Sequence, residues 1–355
     1  MIAGLSKPAG SQDRPSLKVF STANKRHGGF RSVCTLMTRL RLHFHVTVYP
    51  LFKEVPEDNS RTLRSVADCV GEAGIIPDLD PGDHVLFYMN EYTTLIGNFS
   101  DRWQQVLGKA ASVQVVLNRT VGGLQLQHWM SDVVQRIYFH DSLMESTWVF
   151  LTRDSPLAGI RTGVLPPPVE LDEFFSLASR RPPPPPVVVG RLAGDSDLPG
   201  NAASFYGQLA AALPEAEYWF MPAPEDLRHA LGDNRRFRFF EKDEISVDVF
   251  LSSCHIYALT YATHVPVPGP RSLLEAMAAG CAPVVIDRDG PRDRVVHDES
   301  GFRTNDDDER IDYIVRLTTD AALRKRISRG AVARARKFDP DTWIDAIVAH
   351  SIGTG

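Results

Sequence analysis

Two proline clusters constrain this chain more than any other feature of its sequence. The first is Pro166–Pro168, and the second, Pro182–Pro186, is an unbroken run. Because polyproline is stiff and extended, neither cluster can lie inside a helix or a central strand. We therefore interpret residues 166–186 as a proline-rich inter-domain linker that contains a short helix near Leu171–Ala178. The alternative is a single irregular surface loop.

On the amino-terminal side of the linker, short apolar runs alternate with longer amphipathic stretches, which is typical of βαβ units and a parallel sheet. A loop that contains Gly28 and Gly29 precedes a predicted helix over Val33–Leu42. Residues 16–165 are thus predicted to form a Rossmann-like domain. Residues 1–15 are rich in Gly, Ser, Pro and charge and are predicted to be a disordered tail. The predicted strands are Leu17–Ser21, His45–Tyr49, His84–Met89, Val113–Leu117 and Trp148–Thr152.

The same alternation restarts after the linker and predicts a second Rossmann-like domain over residues 187–340. Gly280 follows the helix Ser272–Ala279 in the position of a typical C′ glycine. Residues 341–355 are predicted to form a carboxyl-terminal helix that packs back on the first domain through Trp343. The other predicted strands and helices are Val187–Val189, Ala202–Leu213, Glu217–Met221, Phe237–Phe240, His255–Thr260, Pro283–Ile286, Asp308–Thr318 and Ala321–Lys337.

Composition excludes several classes of protein. The 39 basic and 44 acidic residues give a formal net charge of −5, whereas a general nucleic-acid binder needs a strong basic excess. The four cysteines lack C-x-x-C spacing, which argues against zinc and favours a reducing compartment. The acidic run Asp306–Glu309 is more typical of a solvated helix start than of a metal site. No apolar run reaches the ~18 residues of a membrane span, and residues 1–15 lack a secretory apolar core. We expect a cytoplasmic protein without a metal ion.

Four stretches of the carboxyl-terminal half resemble one family. Arg271–Ile286 (RSLLEAMAAGCAPVVI) resembles the signature of the retaining GT-B glycosyltransferases, above all the large family 4 group that uses nucleotide-sugar donors. Thr162–Phe174, Val189–Leu192 and Val295–Phe302 resemble three further motifs of that family, and all four occur in the family's order. The amino-terminal half is similar only in its layout and its glycine loop.

The resemblance implies a GT-B fold, in which two Rossmann-like domains face each other across a cleft. It implies a hexosyltransferase-like enzyme that moves a sugar from a nucleoside-diphosphate donor to a glycan, lipid-linked or small-molecule acceptor, with retention of anomeric configuration. Polysaccharide biosynthesis is the expected context. No metal or other cofactor is implied, because arginines and helix N–H groups can neutralise the diphosphate. The leaving phosphate is expected to help deprotonate the acceptor.

The donor site is predicted around the start of the helix Ser272–Ala279. In the family, the residue matched by Glu275 accepts both hydroxyls of the ribose; the alternative is a first-turn carboxylate that complements the helix dipole. The N–H groups at this helix start can hold a diphosphate. Arg191 would neutralise the same phosphates, and the alternative is that it is a surface arginine. Arg271 could reach either the phosphate or the sugar. The predicted donor-binding residues are Glu275, Arg191, Arg271, Ser272, Leu273 and Gly269.

The acceptor site is predicted in the amino-terminal domain. Gly28 and Gly29 permit close approach of the backbone, but any tight turn also explains two glycines. Glu91 follows one predicted strand, and Asn118 and Arg119 follow another. The family has a lysine after the strand of Arg191 that this chain lacks, and we predict that Arg119 substitutes for it. The predicted catalytic residues are thus Arg191, Arg271 and Arg119.

Departures from the family pattern leave two rival interpretations open. Val267 stands where the family has the first glutamate of its E-x7-E pair, and the family's lysine after the strand of Arg191 is missing. Pro268 and Pro270 also remove two N–H donors beside the expected phosphate site. The first rival is a degenerate, non-catalytic GT-B subunit that binds a partner protein or a glycan. The second is another enzyme of the same fold, such as a nucleotide-sugar epimerase.

The run Arg324–Lys337 (RKRISRGAVARARK) is strongly basic and also has two interpretations. It is either a solvated helix face or a surface that contacts an anionic membrane carrying a lipid-linked acceptor. The second interpretation would place the protein at the periphery of the inner face of the membrane.

Overall fold

The computed structural model describes residues 14–21, 28–51, 54–89, 101–117, 129–192, 201–222, 225–242, 244–260 and 269–353. The chain divides into two compact units. The first contains the residues up to Pro168 together with those from Asp339 onward, and the second runs from Val169 to Phe338. Each unit is built on a parallel β-sheet with helices, which confirms the α/β class predicted from the sequence.

The described strands of the first unit are β1 (Ser16–Ser21), β2 (His45–Pro50), β3 (Cys69–Val70), β4 (His84–Met89), β5 (Ser112–Leu117), β6 (Arg136–Phe139) and β7 (Arg161–Val164). They form one sheet in the order β3-β2-β1-β4-β5-β6-β7, and all neighbours pair in parallel. The register sets Val19 beside Val48 and Leu86, and all three are buried. Central strands of a parallel sheet are covered on both faces, which is why their sequences are nearly continuous apolar runs.

The described helices of the first unit before the linker are α1 (Gly28–Leu40), α2 (Glu57–Val66), α3 (Asp101–Leu107), α4 (Met130–Val133) and α5 (Ser142–Thr152), with a 3-10 turn at Pro156–Gly159. Helix α1 begins at Gly28, so the predicted helix start at Val33 is wrong. Gly28 and Gly29 form the first turn of α1 rather than a loop ahead of it.

The prediction of a strand at Trp148–Thr152 is also wrong, because these residues end helix α5. The Asp141 carboxylate accepts a hydrogen bond from the Met144 N–H at 2.8 Å and caps the start of this helix. Met144, Trp148 and Thr152 are buried at helical spacing, whereas Phe150 is 63% exposed. The apolar run is therefore the end of an amphipathic helix whose outer face also carries apolar side chains.

Helix α14 (Asp341–Val348), followed by a π-helical turn at Ala349–Gly353, belongs to the first unit. Trp343 is buried in the core of this unit, and its indole N–H donates to the carbonyl oxygen of Pro166. Asp341 forms an ion pair with Arg39 of α1. Residues from the two ends of the chain thus share one core.

The described strands of the second unit are β8 (Val188–Leu192), β9 (Glu217–Met221), β10 (Phe237–Phe239), β11 (Ile256–Leu259), β12 (Ala282–Val285) and β13 (Phe302–Arg303). They form a parallel sheet in the order β10-β9-β8-β11-β12-β13. Its described helices are α6 (Asp172–Phe175), α7 (Ala202–Ala212), α8 (Glu225–Leu231), α9 (Val247–Ser253), α10 (Arg271–Ala278), α11 (Asp289–Arg294), α12 (Asp307–Thr319) and α13 (Ala321–Ala335), with a 3-10 turn at Leu177–Ser179.

Part of the proline-rich segment packs into the second unit. Val169, Leu171, Phe174 and Leu177 are buried in the same core as helix α10. The apolar residues between the two proline clusters therefore anchor this segment to the second unit.

Arginine side chains cap the carboxyl ends of three helices in the second unit. A cation at this end binds the last carbonyl groups and complements the negative end of the helix dipole. Arg324 and Arg334 belong to the basic run predicted as a solvated or membrane-contacting face, yet both point their guanidinium groups at carbonyl oxygens of their own unit. The bonds are Arg181 to Ala279 and Gly280 (2.7 and 2.6 Å), Arg324 to Leu317 and Thr318 (2.7 and 3.0 Å), and Arg334 to Asp293 and Arg294 (2.7 and 3.1 Å).

Candidate functional site

The carboxyl edge of the second sheet is where a ligand is expected. Strand β8 lies between β9 and β11, so the order of the strands reverses at the β8–β11 pair. In open α/β sheets, ligands bind beyond the carboxyl ends of the strands at such a point. Strand β8 ends with Arg191 and Leu192, and Thr260 directly follows β11.

Arg191 brings a buried positive charge to this edge. Arg191 is only 1% exposed, and its Nη2 donates to the carbonyl oxygen of Thr260 at 3.5 Å. Burial raises the pKa of Tyr206, and the nearby Arg191 guanidinium offsets part of that rise. A guanidinium stays protonated even when buried. The surface-arginine alternative therefore does not describe Arg191.

Tyr257, on β11, joins the end of β8 to the start of α10. Its hydroxyl donates to the carbonyl oxygen of Leu192 at 2.5 Å and lies 2.8 Å from Oγ of Ser272. Because a hydroxyl has one proton, Ser272 is the donor in the second bond. Tyr257 is not predicted from the sequence, since its importance arises from contacts among three separate segments.

Helix α10 begins with a turn that contains four of the predicted donor-binding residues. Gly269 has a φ of +66°, a conformation that glycine adopts readily, and Pro270 then leads into the helix. The N–H groups of a helix start carry partial positive charge and donate to anions. The side chain of Leu273 is buried in the core, so this residue can offer a ligand only its backbone. The four residues are Gly269, Arg271, Ser272 and Leu273.

Glu275 lies one helical turn after Arg271 and pairs with it. The Oε1 atom of Glu275 is 3.5 Å from Nη2 of Arg271, and Glu275 is only 3% exposed. Arg271 is partly buried, with 12% of its side chain exposed, and its charge compensates the buried carboxylate, which would be costly without a partner. Glu275 is therefore not an exposed first-turn carboxylate that complements the helix dipole.

A second buried arginine, Arg294, lies beside the same turn. It ends helix α11 and is 1% exposed. A Cβ atom added at Gly269 or at Gly290 would collide with its Nη1 atom. The guanidinium thus fills the space that two glycines leave. Arg294 is not predicted from the sequence, where the pair of glycines is the signal for it.

The segment that holds this turn matches a known family. Residues 224–334 match the family described as glycosyl transferases group 1. This range contains both α10 and α11, and the match confirms the resemblance that the motifs of the carboxyl-terminal half indicated. A comparison of the sequence with curated proteins finds no match.

Solved structures extend the likeness over nearly the whole chain. Anabaena Alr3699/HepE in complex with UDP and glucose has a TM-score of 0.72 at 14% identity, covering 96% of this chain and 100% of that chain. A glycosyltransferase from Rickettsia africae has a TM-score of 0.73 at 10% identity, with the same coverage. Sucrose-phosphate synthase from Thermosynechococcus elongatus has a TM-score of 0.68 at 13% identity, again covering 96% of this chain and 100% of that chain. The chain has the GT-B fold.

The first unit of this GT-B chain has an edge of the same kind. Strand β1 lies between β2 and β4, and helix α1 begins at Gly28, shortly after β1 ends at Ser21. The structure therefore places Gly28 and Gly29 in a helix start near the point where the strand order reverses. The other predicted residues Glu91, Asn118 and Arg119, and the departures at Val267 and Pro268, lie outside the described residues.

Two further observations concern the described part of the GT-B chain. No three His, Cys, Asp or Glu side chains gather there in a way that could hold a metal ion. The Asp306 carboxylate accepts from the Glu309 N–H at 2.8 Å, which confirms that Asp306–Glu309 starts a helix. Across the same ranges, every helix is too short or too polar to cross a lipid bilayer.

Proposed function

We propose that this chain is a retaining glycosyltransferase that takes its sugar from a nucleoside-diphosphate donor. One observation supports this most: Tyr257 ties the carboxyl end of β8 to the first turn of α10. The tie brings the strand that carries buried Arg191 to a helix start within the segment that matches glycosyl transferases group 1. Diphosphates are recognised by guanidinium groups and by the N–H groups of helix starts.

In this proposal, the donor binds at the edge of the second sheet. The diphosphate accepts hydrogen bonds from the backbone of the turn at Gly269–Leu273 and is neutralised by Arg191 and Arg271. Glu275 accepts the ribose hydroxyls through Oε2, since Oε1 faces Arg271.

The proposed reaction requires charge stabilisation more than a dedicated protein base. The bond between the anomeric carbon and the phosphate oxygen breaks, and the nucleoside diphosphate leaves with the electron pair. The acceptor oxygen bonds to the same face of the sugar, and its proton passes to the leaving phosphate. Arg191 and Arg271 stabilise the charge that develops on the diphosphate, which is a transition-state interaction in a buried, pre-organised site. No metal takes part.

The acceptor is proposed to bind the first unit. Gly28 and Gly29 open a helix at the edge where the strand order reverses, and Glu91, Asn118 and Arg119 follow strands β4 and β5 in the sequence. We propose a glycan, a lipid-linked saccharide or a small molecule as the acceptor, and the cytoplasm as the compartment. Arg119 would supply the charge of the missing lysine.

A non-catalytic GT-B subunit is the second candidate, and one observation favours it. Arg271 and Glu275, both proposed to contact the donor, already pair with each other. Together with Val267 and the missing lysine, this pairing would suit a site that has lost its donor. The two candidates differ in donor binding and turnover.

Donor binding is tested by thermal unfolding with a panel of nucleoside diphosphates and nucleotide sugars, beginning with UDP because Alr3699/HepE binds it. A ligand at a hundred times its dissociation constant stabilises the folded state by about 2.7 kcal/mol, which raises Tm by several degrees. Calorimetry then measures the affinity. If no member of the panel changes Tm, donor binding by this chain is contradicted.

Turnover is tested by NMR of the transferred sugar. A product with the anomeric configuration of the donor supports retention, and an inverted product contradicts it. Arg191→Ala should lower kcat by about a hundredfold or more, because it removes one pre-organised charge. Its effect on nucleotide affinity should be smaller. Binding without any turnover would support the non-catalytic subunit.

A further inference from the structure

We propose that Arg294 positions the turn at Gly269–Arg271 and adds positive charge for the donor's second phosphate. The inference rests on the proposed function, because it names a further residue of the same donor site. Arg294 lies outside the four stretches that resemble the family. Its packing against Gly269 and Gly290 is what assigns it to the site.

The side chain of Arg294 is held against the turn. Its Nη1 atom occupies the space where Gly269 and Gly290 would otherwise carry a Cβ. The same added atom at Gly290 would also collide with the backbone of Gly269, so the two chain segments approach very closely. Only glycine at both positions permits this arrangement. The guanidinium therefore lies directly beside the backbone that leads into α10.

The main chain of Arg294 is held as well. Arg334 of helix α13 donates to the carbonyl oxygens of Arg294 and Asp293, at 3.1 and 2.7 Å. These bonds fix the end of α11, from which the Arg294 side chain extends. These contacts hold the side chain beside the turn, and a binding site needs its groups held to within about 0.5 Å.

The positive charge of Arg294 favours an anionic ligand at this turn. A buried guanidinium remains protonated, and the start of α10 carries the positive end of a helix dipole. Two neighbouring positive potentials at a partly buried turn favour an anion between or beside them. In the donor, the second phosphate is the group that loses its bond to the sugar. Arg294 would then replace the charge of the lysine that the family has after the strand of Arg191 and that this chain lacks.

The test is a phosphate series measured by calorimetry: the nucleoside, its monophosphate and its diphosphate, with uridine, UMP and UDP as the first series. If another base gives the largest thermal shift in the panel above, its own series is used. We expect Arg294→Met to weaken diphosphate binding at least tenfold and to change monophosphate and nucleoside binding by less than threefold. Arg294→Lys keeps the charge and should recover part of the diphosphate affinity. A purely structural role would weaken all three ligands by the same factor.

Arg181→Met is the matched control. Arg181 contacts the same helix at its opposite end, where it donates to the carbonyl oxygens of Ala279 and Gly280. This variant should lower Tm without changing the ratio between diphosphate and monophosphate affinity. If Arg181→Met changes the ratio as strongly as Arg294→Met, the assignment of Arg294 is overturned.

The outcomes separate the two proposals. If the wild-type protein binds no nucleoside diphosphate, the proposed function fails and this inference fails with it. If the wild type binds but Arg294→Met leaves the ratio unchanged, only the inference fails. If Arg294→Met does not fold, Arg294→Lys decides alone. Because a lysine cannot fill the space beside both glycines, its diphosphate affinity should fall at least threefold while its monophosphate affinity stays unchanged. An unchanged ratio between the two affinities overturns the inference.

Discussion

Tyr257 is a single side chain on which the geometry of the candidate site depends. Its hydroxyl links Leu192 at the end of β8 to Ser272 in the first turn of α10. Tyr257→Phe should destabilise the fold by about 1–2 kcal/mol, since each buried hydrogen bond contributes ~1 kcal/mol. It should also weaken binding of the nucleoside diphosphate several-fold, measured by calorimetry.

The matched control for this prediction is Tyr218→Phe. The Tyr218 hydroxyl, on β9, is also buried and shares its one proton between the carbonyl oxygens of Leu209 and Leu213, at 3.1 and 3.3 Å. It should lose similar stability without a change in affinity. Equal losses of affinity in both variants would contradict a special role for Tyr257.

His255 should make the second unit sensitive to acid. Burial, with a contribution from Arg181, lowers the pKa of His255 to about 4. Its neutral form fits the structure, since Nδ1 accepts from the Val188 N–H and Nε2 donates to the Pro182 carbonyl oxygen. The unfolded chain, with a pKa of about 6.5, takes up a proton first as the pH falls. The stability is therefore complete above about pH 6.5 and declines toward pH 4 by up to ~1.4 kcal/mol per pH unit.

The measurement is urea unfolding of the wild type and His255→Asn between pH 7.5 and pH 4.5. Asparagine cannot be protonated here, so the difference between the two curves isolates His255 from other histidines. We expect the wild type to lose more stability than the variant over this range. Parallel curves would show that His255 does not titrate as described.

At the residue scale, the sequence predicts what a motif carries and misses what packing creates. Arg191 and Glu275 are named by their place in recognisable stretches, and the structure buries both at the expected edge or helix. Tyr257 and Arg294 act through contacts among segments far apart in the chain. No periodicity or spacing within one segment reports such a contact, which is why neither is predicted.

At the scale of elements, substitution of Gly330 in helix α13 should have the opposite effect on stability from the one that helix propensity predicts. Alanine in place of glycine normally stabilises a helix interior by up to ~1 kcal/mol. A Cβ at Gly330 would collide with the carbonyl oxygen of Glu299, so Gly330→Ala should destabilise the fold by about 1–3 kcal/mol, as overpacked sites do. Gly207 in helix α7 has open space at its Cβ position. Gly207→Ala should therefore stabilise the fold, and denaturant unfolding that gave both variants the same sign would refute this account.

A strand or helix is predicted correctly where the apolar pattern fits only one of the two. The prediction fails where the pattern fits both equally well. The strands β1, β2, β4 and β5 are short and largely buried, so their mainly apolar runs are clear. The run at Trp148–Thr152 is also apolar but completes a helix that starts at Ser142, directly after the Asp141 cap. A five-residue apolar run does not distinguish a buried strand from a helix end. The cap was the better signal.

At the scale of the whole molecule, helix α14 should hold the first unit together. Trp343, Ile344 and Ile347 are buried in the core of that unit. Trp343→Ala should cost about 3–5 kcal/mol, as for other large buried side chains. Hydrogen exchange followed by mass spectrometry should show the loss of protection in β1, β2 and β4, with β8, β11 and β12 unchanged. Loss of protection in the second unit alone would contradict the assignment of α14 to the first.

The two-unit architecture was predictable because proline separates two alternating patterns. Val189–Leu192, Arg271–Ile286 and Val295–Phe302 then identify the second pattern by resemblance. Where the first unit ends was less predictable. Val169, Leu171, Phe174 and Leu177 lie among prolines yet are buried, and the burial of a side chain depends on the surface that faces it rather than on its neighbours in sequence.

The closing of the first unit by residues from Asp339 onward sets an order for biosynthesis. A ribosome releases the chain from its amino end, and domains generally fold as units while this proceeds. The second unit is continuous, from Val169 to Phe338, and has all its strands and helices before Trp343 is translated. The first unit begins earlier but is completed later, because α1 and α2 cover only part of its apolar core until Trp343, Ile344 and Ile347 of α14 are added. Chaperones that recognise nascent apolar surface should therefore bind the unit that was synthesised first, and release it last.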